Sequence, residues 1–148
     1  MKLKPGVKYR IWYFNFYGRA EAMRLLLCHA GITWEDVKVA NEHWPLIKAS
    51  VQGNSLPLLE SEDGQIKGGN TRAAVRYLGM KHGYYPDDPL RAQECDMITD
   101  SFAEIFELAS EAAFGQGFNP DTIEECRRVF WPALEKFLDM LEPFCAKN

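Results

Sequence analysis

Tyr13 and Arg19 are the residues whose types and spacing first suggest chemistry. A phenol hydroxyl and a guanidinium stand either side of Gly18, where a run suited to a strand gives way to a run suited to a helix. A strand feeding directly into a helix presents free backbone N–H groups and the positive end of the helix dipole, and both attract an anion. One hydroxyl ends the strand and one cation opens the helix, so the pair could hold and polarise a small acidic ligand. Each has a bland counterpart. An isolated tyrosine is more often a core or strand-end aromatic, and an isolated arginine is more often solvated.

Thiol and imidazole chemistry is less promising. Cys28, Cys95, Cys126 and Cys145 lie far apart, with no C-x-x-C pair and no metal-ligand spacing. They fall among apolar helical positions, which predicts buried free thiols in a reducing compartment, with Cys28 in the core. The first strand–helix junction carries no cysteine, which disfavours thiol–disulfide exchange. His29, His43 and His82 are scattered, and His29 and His82 fall near expected helix ends, where a cation is favourable. No metal site is expected.

The elements that must position Tyr13 and Arg19 can be read from periodicity. Tyr9 to Phe14 is aromatic and β-branched, as suits a packed strand. Gly18 supplies the turn. From Arg19 to His29 the apolar residues Ala22, Met23, Leu26, Leu27 and Ala30 recur at helical spacing, and Gly31 stops the helix. Ile32 to Val39 reads as a second strand anchored by Trp34 and Val37. Glu42 to Ser50 reads as a short helix opening around Trp44-Pro45. Leu56 to Glu60 reads as a buried strand entered through Pro57. Asp63-Gly64 is a strong hairpin signal, with Gln65 to Lys67 returning and Gly68-Gly69-Asn70 turning. Thr71 to Lys81 is amphipathic and closes at His82-Gly83. Strand-helix-strand implies a parallel pair and the hairpin an antiparallel one, so the fold class is α/β: a small mixed sheet, βαβ-α-ββα, with helices on its faces.

Beyond a linker at 84–89 the pattern is helical. One helix from Leu90 to Phe114 carries Ile98, Phe102, Ile105, Ala109 and Ala112 along one side. Gly115 to Phe118 interrupts it, and Asn119-Pro120 caps a last helix running to about Phe144. That helix places Ile123, Phe130, Leu134, Phe137, Leu138 and Leu141 on its apolar side. The domains expected are 1–83, a linker at 84–89, and a helical 90–148.

With 148 residues, 47% hydrophobic and 26% charged, the composition is that of an ordinary globular protein. A net charge of −4 gives no reason to expect nucleic acid, and no apolar run reaches the roughly 18 residues that span a membrane. Met1 to Lys8 is basic without an apolar signal core. A cytoplasmic location is expected and a mitochondrial one stays open.

Tyr13-Phe14-Asn15 followed by Gly18-Arg19-Ala20-Glu21 resembles the start of cytosolic glutathione transferases, closest to the sigma class. The resemblance continues through Trp44-Pro45-Leu46-Ile47-Lys48, Leu56-Pro57-Leu58-Leu59-Glu60, Ala73-Ala74-Val75-Arg76-Tyr77-Leu78 and the linker Tyr85-Pro86-Asp87-Asp88-Pro89. It implies a thioredoxin-like domain and then a shortened all-helical extension of two helices. It also implies a glutathione site with no metal. Tyr13 would donate to the glutathione sulfur, with Arg19 beside it. Trp44 and Lys48 would meet the glycyl end, Lys48 as counter-ion. Leu56 would pair its main chain with the cysteinyl backbone, with Pro57 in the cis form. Asn70 and Thr71 would bind the γ-glutamyl carboxylate, and Glu104 the γ-glutamyl amine of a neighbouring subunit. The family pattern has Gln-Ser where this chain has Asn70-Thr71; Ser55 and Arg72 also depart from it.

The resemblance implies a homodimeric transferase that conjugates glutathione to an electrophile or isomerises a bound substrate. The alternative is a catalytically reduced or inactive accessory subunit of a larger assembly, mitochondrial assemblies included, joined through helices 90–114 and 119–144. Preserved site residues favour the transferase; the shortened helical region favours the subunit.

Overall fold

A computed structural model describes residues 3–114 and 120–146. The chain divides into two compact units, Met1–Pro86 and Asp87–Asn148.

The first unit runs β1 (Tyr9–Tyr13), a 3-10 turn (Gly18–Ala20), α1 (Glu21–His29), β2 (Trp34–Lys38), α2 (Trp44–Ile47) extended by a 3-10 turn (Lys48–Ser50), β3 (Leu58–Ser61), β4 (Lys67–Gly69) and α3 (Thr71–His82). The sheet order is β2-β1-β3-β4, with β1–β2 parallel and the other pairs antiparallel. Strand alternation decides what β1 buries. Tyr9, Ile11 and Tyr13 point to one side and join Met23, Leu27, Leu59 and Leu78 in the core.

The other side of β1 holds a charge ladder that alternation alone does not reveal. Register places Glu35, Arg10, Glu60 and Lys67 side by side across the four strands. Arg10 is buried and pairs with Glu35 at 3.0 Å and Glu60 at 3.5 Å. Lys67 reaches Glu60 at 3.6 Å, and the Trp12 indole N–H donates to Glu60 at 2.6 Å. Opposite charges facing each other across strands stabilise a sheet, and each partner here keeps the others from being orphaned.

Two expectations need correction. Gly68 and Gly69 are not a turn but belong to β4, pairing with Leu59 and Leu58. Close backbone approach is the reason: a Cβ on Gly69 would lie 2.1 Å from the Ser55 carbonyl oxygen, and the Gly69 N–H bonds Gln52 at 3.0 Å. Cys28 is not in the core but exposed, as is Cys145, while Cys95 is partly buried. Helix α1 and the turn before it bury Ala20, Met23, Arg24 and Leu27, and Cys28 sits about 100° round the helix from Leu27. The side chain of Cys126 lies outside the described residues.

The caps of α3 follow sequence chemistry. Asn70 accepts the Ala73 N–H at 3.1 Å, and Gly83 closes the C-terminus at φ +78°, a conformation that favours glycine.

The second unit is two helices, α4 (Pro89–Phe114) and α5 (Pro120–Cys145). Asp88 caps α4 by accepting the Arg91 N–H at 2.9 Å, with Pro89 as first helical residue. Ile105 and Phe137 are buried, and the Phe102 and Phe137 rings lie 5.6 Å apart. Phe102, Leu108, Ile123, Trp131 and Leu138 keep much of their surface exposed. Pro132 and Pro143 lie inside α5, neither offering an N–H to the carbonyl four residues back. The Gly115–Phe118 interruption, the Asn119 cap and the side chain of Ala112 lie outside the described residues.

Candidate functional site

Topology collects most of the expected residues at one end of the sheet. Tyr13 ends β1, and its carbonyl accepts the Val39 N–H just past β2 at 2.8 Å. Antiparallel pairing of Trp12 with Leu58 and of Leu58 with Gly69 brings the Leu56–Pro57 step and Asn70–Thr71 to that same end. The Leu56–Pro57 peptide is cis, as expected. The starts of α1 and α3 lie there too, α1 entered through the 3-10 turn that contains Arg19, and each presents the positive end of its helix dipole.

Around Tyr13 the geometry is specific. Its ring is buried, and its hydroxyl oxygen accepts the backbone N–H of Arg19 at 3.2 Å. Gly18 makes this possible. It adopts φ +44°, and a Cβ there would meet the Phe16 ring at 2.5 Å and the Tyr13 hydroxyl at 2.8 Å. The residues between form an aromatic wall. Tyr13 and Phe16 lie 5.2 Å apart, Phe14 and Phe16 stack at 2°, and Phe14 meets Trp44 edge-on at 6.3 Å. Trp44 therefore joins the Tyr13 cluster through Phe14, a residue not singled out from sequence. Lys48 stands exposed one turn beyond Trp44, and the Arg19 side chain is also exposed. Asn70 is engaged as a helix cap, while the Thr71 side chain is half-buried. Glu104 is an exposed residue of α4, in the second unit.

Sequence reasoning missed Arg24. It is buried in the stripe that α1 turns to the sheet, where its guanidinium donates to the carbonyls of Phe16 and Tyr17 at 3.2 Å each. It also pairs with Glu21 at 2.9 Å and Asp36 at 3.3 Å. A signal was present: Arg24 falls four residues from Ala20 and three from Leu27, on a face that is otherwise apolar.

The opposite end of the sheet differs. A groove of about 770 Å³ is lined there by Lys4, Val7, Glu60, Glu62, Ile66 and Lys67 among others, but its charges are engaged, Lys4 with Glu35, Lys8 with Glu62 and Lys67 with Glu60. The bond from Lys4, then that from Arg10, holds the Glu35 carboxyl below its usual range. The Ser61 hydroxyl does the same for Asp63. Burial, then the neighbouring Tyr77 phenol, pushes the Tyr9 phenol well up. Among the described residues no cluster of His, Cys, Asp or Glu could hold a metal, and no helix is long and apolar enough to cross a membrane.

No family model matches the chain. Individual relatives do. Glutathione S-transferase 1 of Ascaris suum is 34% identical over 143 residues, which is 95% of this chain and 68% of that one. The chain belongs to the glutathione transferase family. The hematopoietic prostaglandin D synthase of Gallus gallus is another relative, 32% identical over 131 residues, covering 88% of this chain and 65% of its own. Among solved structures, a monomeric glutathione S-transferase of the hookworm Necator americanus superposes with a TM-score of 0.82 at 29% identity, over 96% of this chain and 69% of that one. The chain thus spans about two thirds of the length of these transferase relatives. Its mixed sheet and flanking helices are the family's thioredoxin-like arrangement, and α4 and α5 form the helical extension.

Proposed function

We propose that this transferase family member binds glutathione at the Tyr13 end of its sheet and activates the thiol for conjugation to an electrophile or for isomerisation of a bound substrate. The observation that carries the reading is the meeting of the Tyr13 hydroxyl and the Arg19 N–H at the mouth of α1. A free thiol titrates near pH 8.5, and only its thiolate is a strong nucleophile. A phenol that donates to the sulfur, backed by an N–H that polarises the phenol and by the start of a helix, favours the charged form. The Arg19 guanidinium adds a positive charge beside it.

The remaining roles follow along the tripeptide. Trp44 supplies a ring against the glycyl end and Lys48 its counter-charge. Leu56, held by the cis Pro57 step, offers its main chain to the cysteinyl residue as an added strand would. Asn70 and Thr71 at the start of α3 receive the γ-glutamyl carboxylate, Asn70 through whatever hydrogen-bonding capacity its capping role leaves. Glu104 takes the γ-glutamyl amine across a homodimer. The curated and solved relatives named as glutathione S-transferases support the substrate, and the prostaglandin D synthase supports isomerisation as the alternative reaction.

Exposed Phe102, Leu108, Trp131 and Leu138 favour a second reading, in which the helical unit docks into a larger assembly while the site still holds glutathione. Calorimetric titration of glutathione, with the ultraviolet thiolate band followed in the wild type and in Tyr13→Phe, separates the readings. Binding with a band that Tyr13→Phe removes supports the enzyme. Binding without a band leaves a ligand-holding subunit, and no binding by folded protein overturns both.

A further inference from the structure

Arg24 is a buried cation that the proposed chemistry does not use, and its partners converge on one place. Its guanidinium holds the carbonyls of Phe16 and Tyr17, both in the loop that joins β1 to α1. It is neutralised by Glu21 in the first turn of α1 and by Asp36 on the neighbouring strand β2. The same group stands over the Tyr13 ring, with Cζ 5.9 Å from the ring centroid. Its Nε is buried with no hydrogen-bond partner, so burial here serves the terminal nitrogens and the ring contact.

We propose that Arg24 is a positioning residue for thiol activation, clamping the Phe14–Tyr17 loop and the Tyr13 ring so that the phenol oxygen and the Arg19 N–H stay aligned. Only a planar fork can serve this geometry. One terminal nitrogen meets two successive carbonyls and a carboxylate while the other meets a second carboxylate, and the flat cation still faces an aromatic ring. A lysine keeps the charge but offers one point of attachment. Loosening the clamp lets the loop drift, and an alignment lost by about an ångström weakens a catalytic contact severely.

This inference rests on the reading of Tyr13 as donor to the glutathione sulfur, and the test separates the two. The ultraviolet thiolate band of bound glutathione is titrated against pH in the wild type, Arg24→Lys, Tyr13→Phe and the double variant, each checked for folding by circular dichroism. Arg24→Lys is expected to raise the thiol's midpoint by about one unit, roughly tenfold less thiolate below both midpoints, with glutathione affinity within about threefold. In the Tyr13→Phe background the same change is expected to move nothing, because the group it acts through is gone. A wild type without the band sinks the Tyr13 reading and this one together. A wild-type band with an unmoved midpoint in folded Arg24→Lys overturns the Arg24 assignment alone. So does an equal shift in both backgrounds, which would mark a general structural effect. Should Arg24→Lys fail to fold, Asp36→Asn decides: about threefold less thiolate, dependent on Tyr13, supports the clamp, and no loss overturns it.

Discussion

Strand β1 carries a buried tyrosine at each end, four residues apart and on the same side of the sheet, and the two are treated oppositely. The Tyr9 hydroxyl is closed off: it meets His82 Nε2 at 3.0 Å, with His82 and Tyr77 packed edge-on against its ring. Tyr13 accepts an N–H instead, from Arg19. A hydroxyl is both donor and acceptor. Spending the acceptor side on a backbone N–H leaves the phenol hydrogen available, and among the described residues no other group takes it. The elements around each end explain the difference. Tyr9 faces the C-terminal end of α3, a finished corner of the core, whereas Tyr13 faces the 3-10 turn that leads into the N-terminal end of α1, the positive end of that helix.

The largest effect should come from breaking this asymmetry. Tyr13→Phe keeps the ring and removes the hydroxyl, so turnover with an electrophile is expected to fall about 100-fold, the usual loss for one transition-state donor. Tyr9→Phe is expected to leave turnover unchanged and to lower stability by about 1 kcal/mol, the worth of one hydrogen bond. Comparable losses of turnover in both variants would dissolve the distinction. Next comes Gly18→Ala. The added methyl would press on the Phe16 ring and the Tyr13 oxygen at a positive φ, so about 2 kcal/mol of stability is expected to go, together with much of the thiolate signal. Urea unfolding and the ultraviolet band read the two losses separately. The same substitution at Gly64, also at positive φ but with nothing near its Cβ, is expected to cost about 1 kcal/mol and to leave the thiolate intact.

The Tyr13 end was more legible in the sequence than the Tyr9 end. A strand of aromatic residues, a glycine and an apolar helix are local signals, and they placed Tyr13, Gly18 and Arg19 together without any long-range contact. The Trp44, Pro57 and Asn70 segments required the resemblance, because sheet order alone decides that separate loops share one end. What stayed hidden was polar and long-range. The Glu35-Arg10-Glu60-Lys67 ladder depends on the register of four strands, which no single segment states. Arg24 looked like part of an ordinary helix because its partners, two loop carbonyls and a carboxylate on β2, are fixed only by the fold. Cys28 misled for a related reason: an apolar stripe read by residue type is wider than the face the helix buries.

Smaller effects sharpen the comparison at its edges. Asn70→Ala removes the Ala73 cap and should lower stability by about 1 kcal/mol. If Asn70 also serves the γ-glutamyl end, glutathione affinity should fall in the same variant, while Asn70→Ser, which can still cap, should recover stability more fully than affinity. Recovery of both in parallel would assign Asn70 to capping alone.

The smallest effect belongs to the Tyr9 end, where acid should act first on stability. Glu35 and Asp63 are both held below their usual carboxylate values, Glu35 by Lys4 and Arg10 and Asp63 by Ser61. The unfolded chain regains the ordinary values and so binds more protons over the interval between the two. Their stabilisation is therefore complete above the ordinary carboxylate range and fades as pH falls through the depressed native values. Glu35→Gln should lower stability modestly at neutral pH, and its difference from wild type should shrink as the solution is acidified. Because the Glu35 carboxylate is partly solvated, added salt should shrink that difference too. Chemical denaturation repeated across the acid range measures this directly, and a difference that instead grew toward low pH would mean that Glu35 is not held by Lys4 and Arg10. At the Tyr13 end the bond from the Arg19 backbone N–H to the phenol oxygen has no group that titrates over that range, so any acid effect there should come through Glu21 and Asp36, the carboxylates on Arg24.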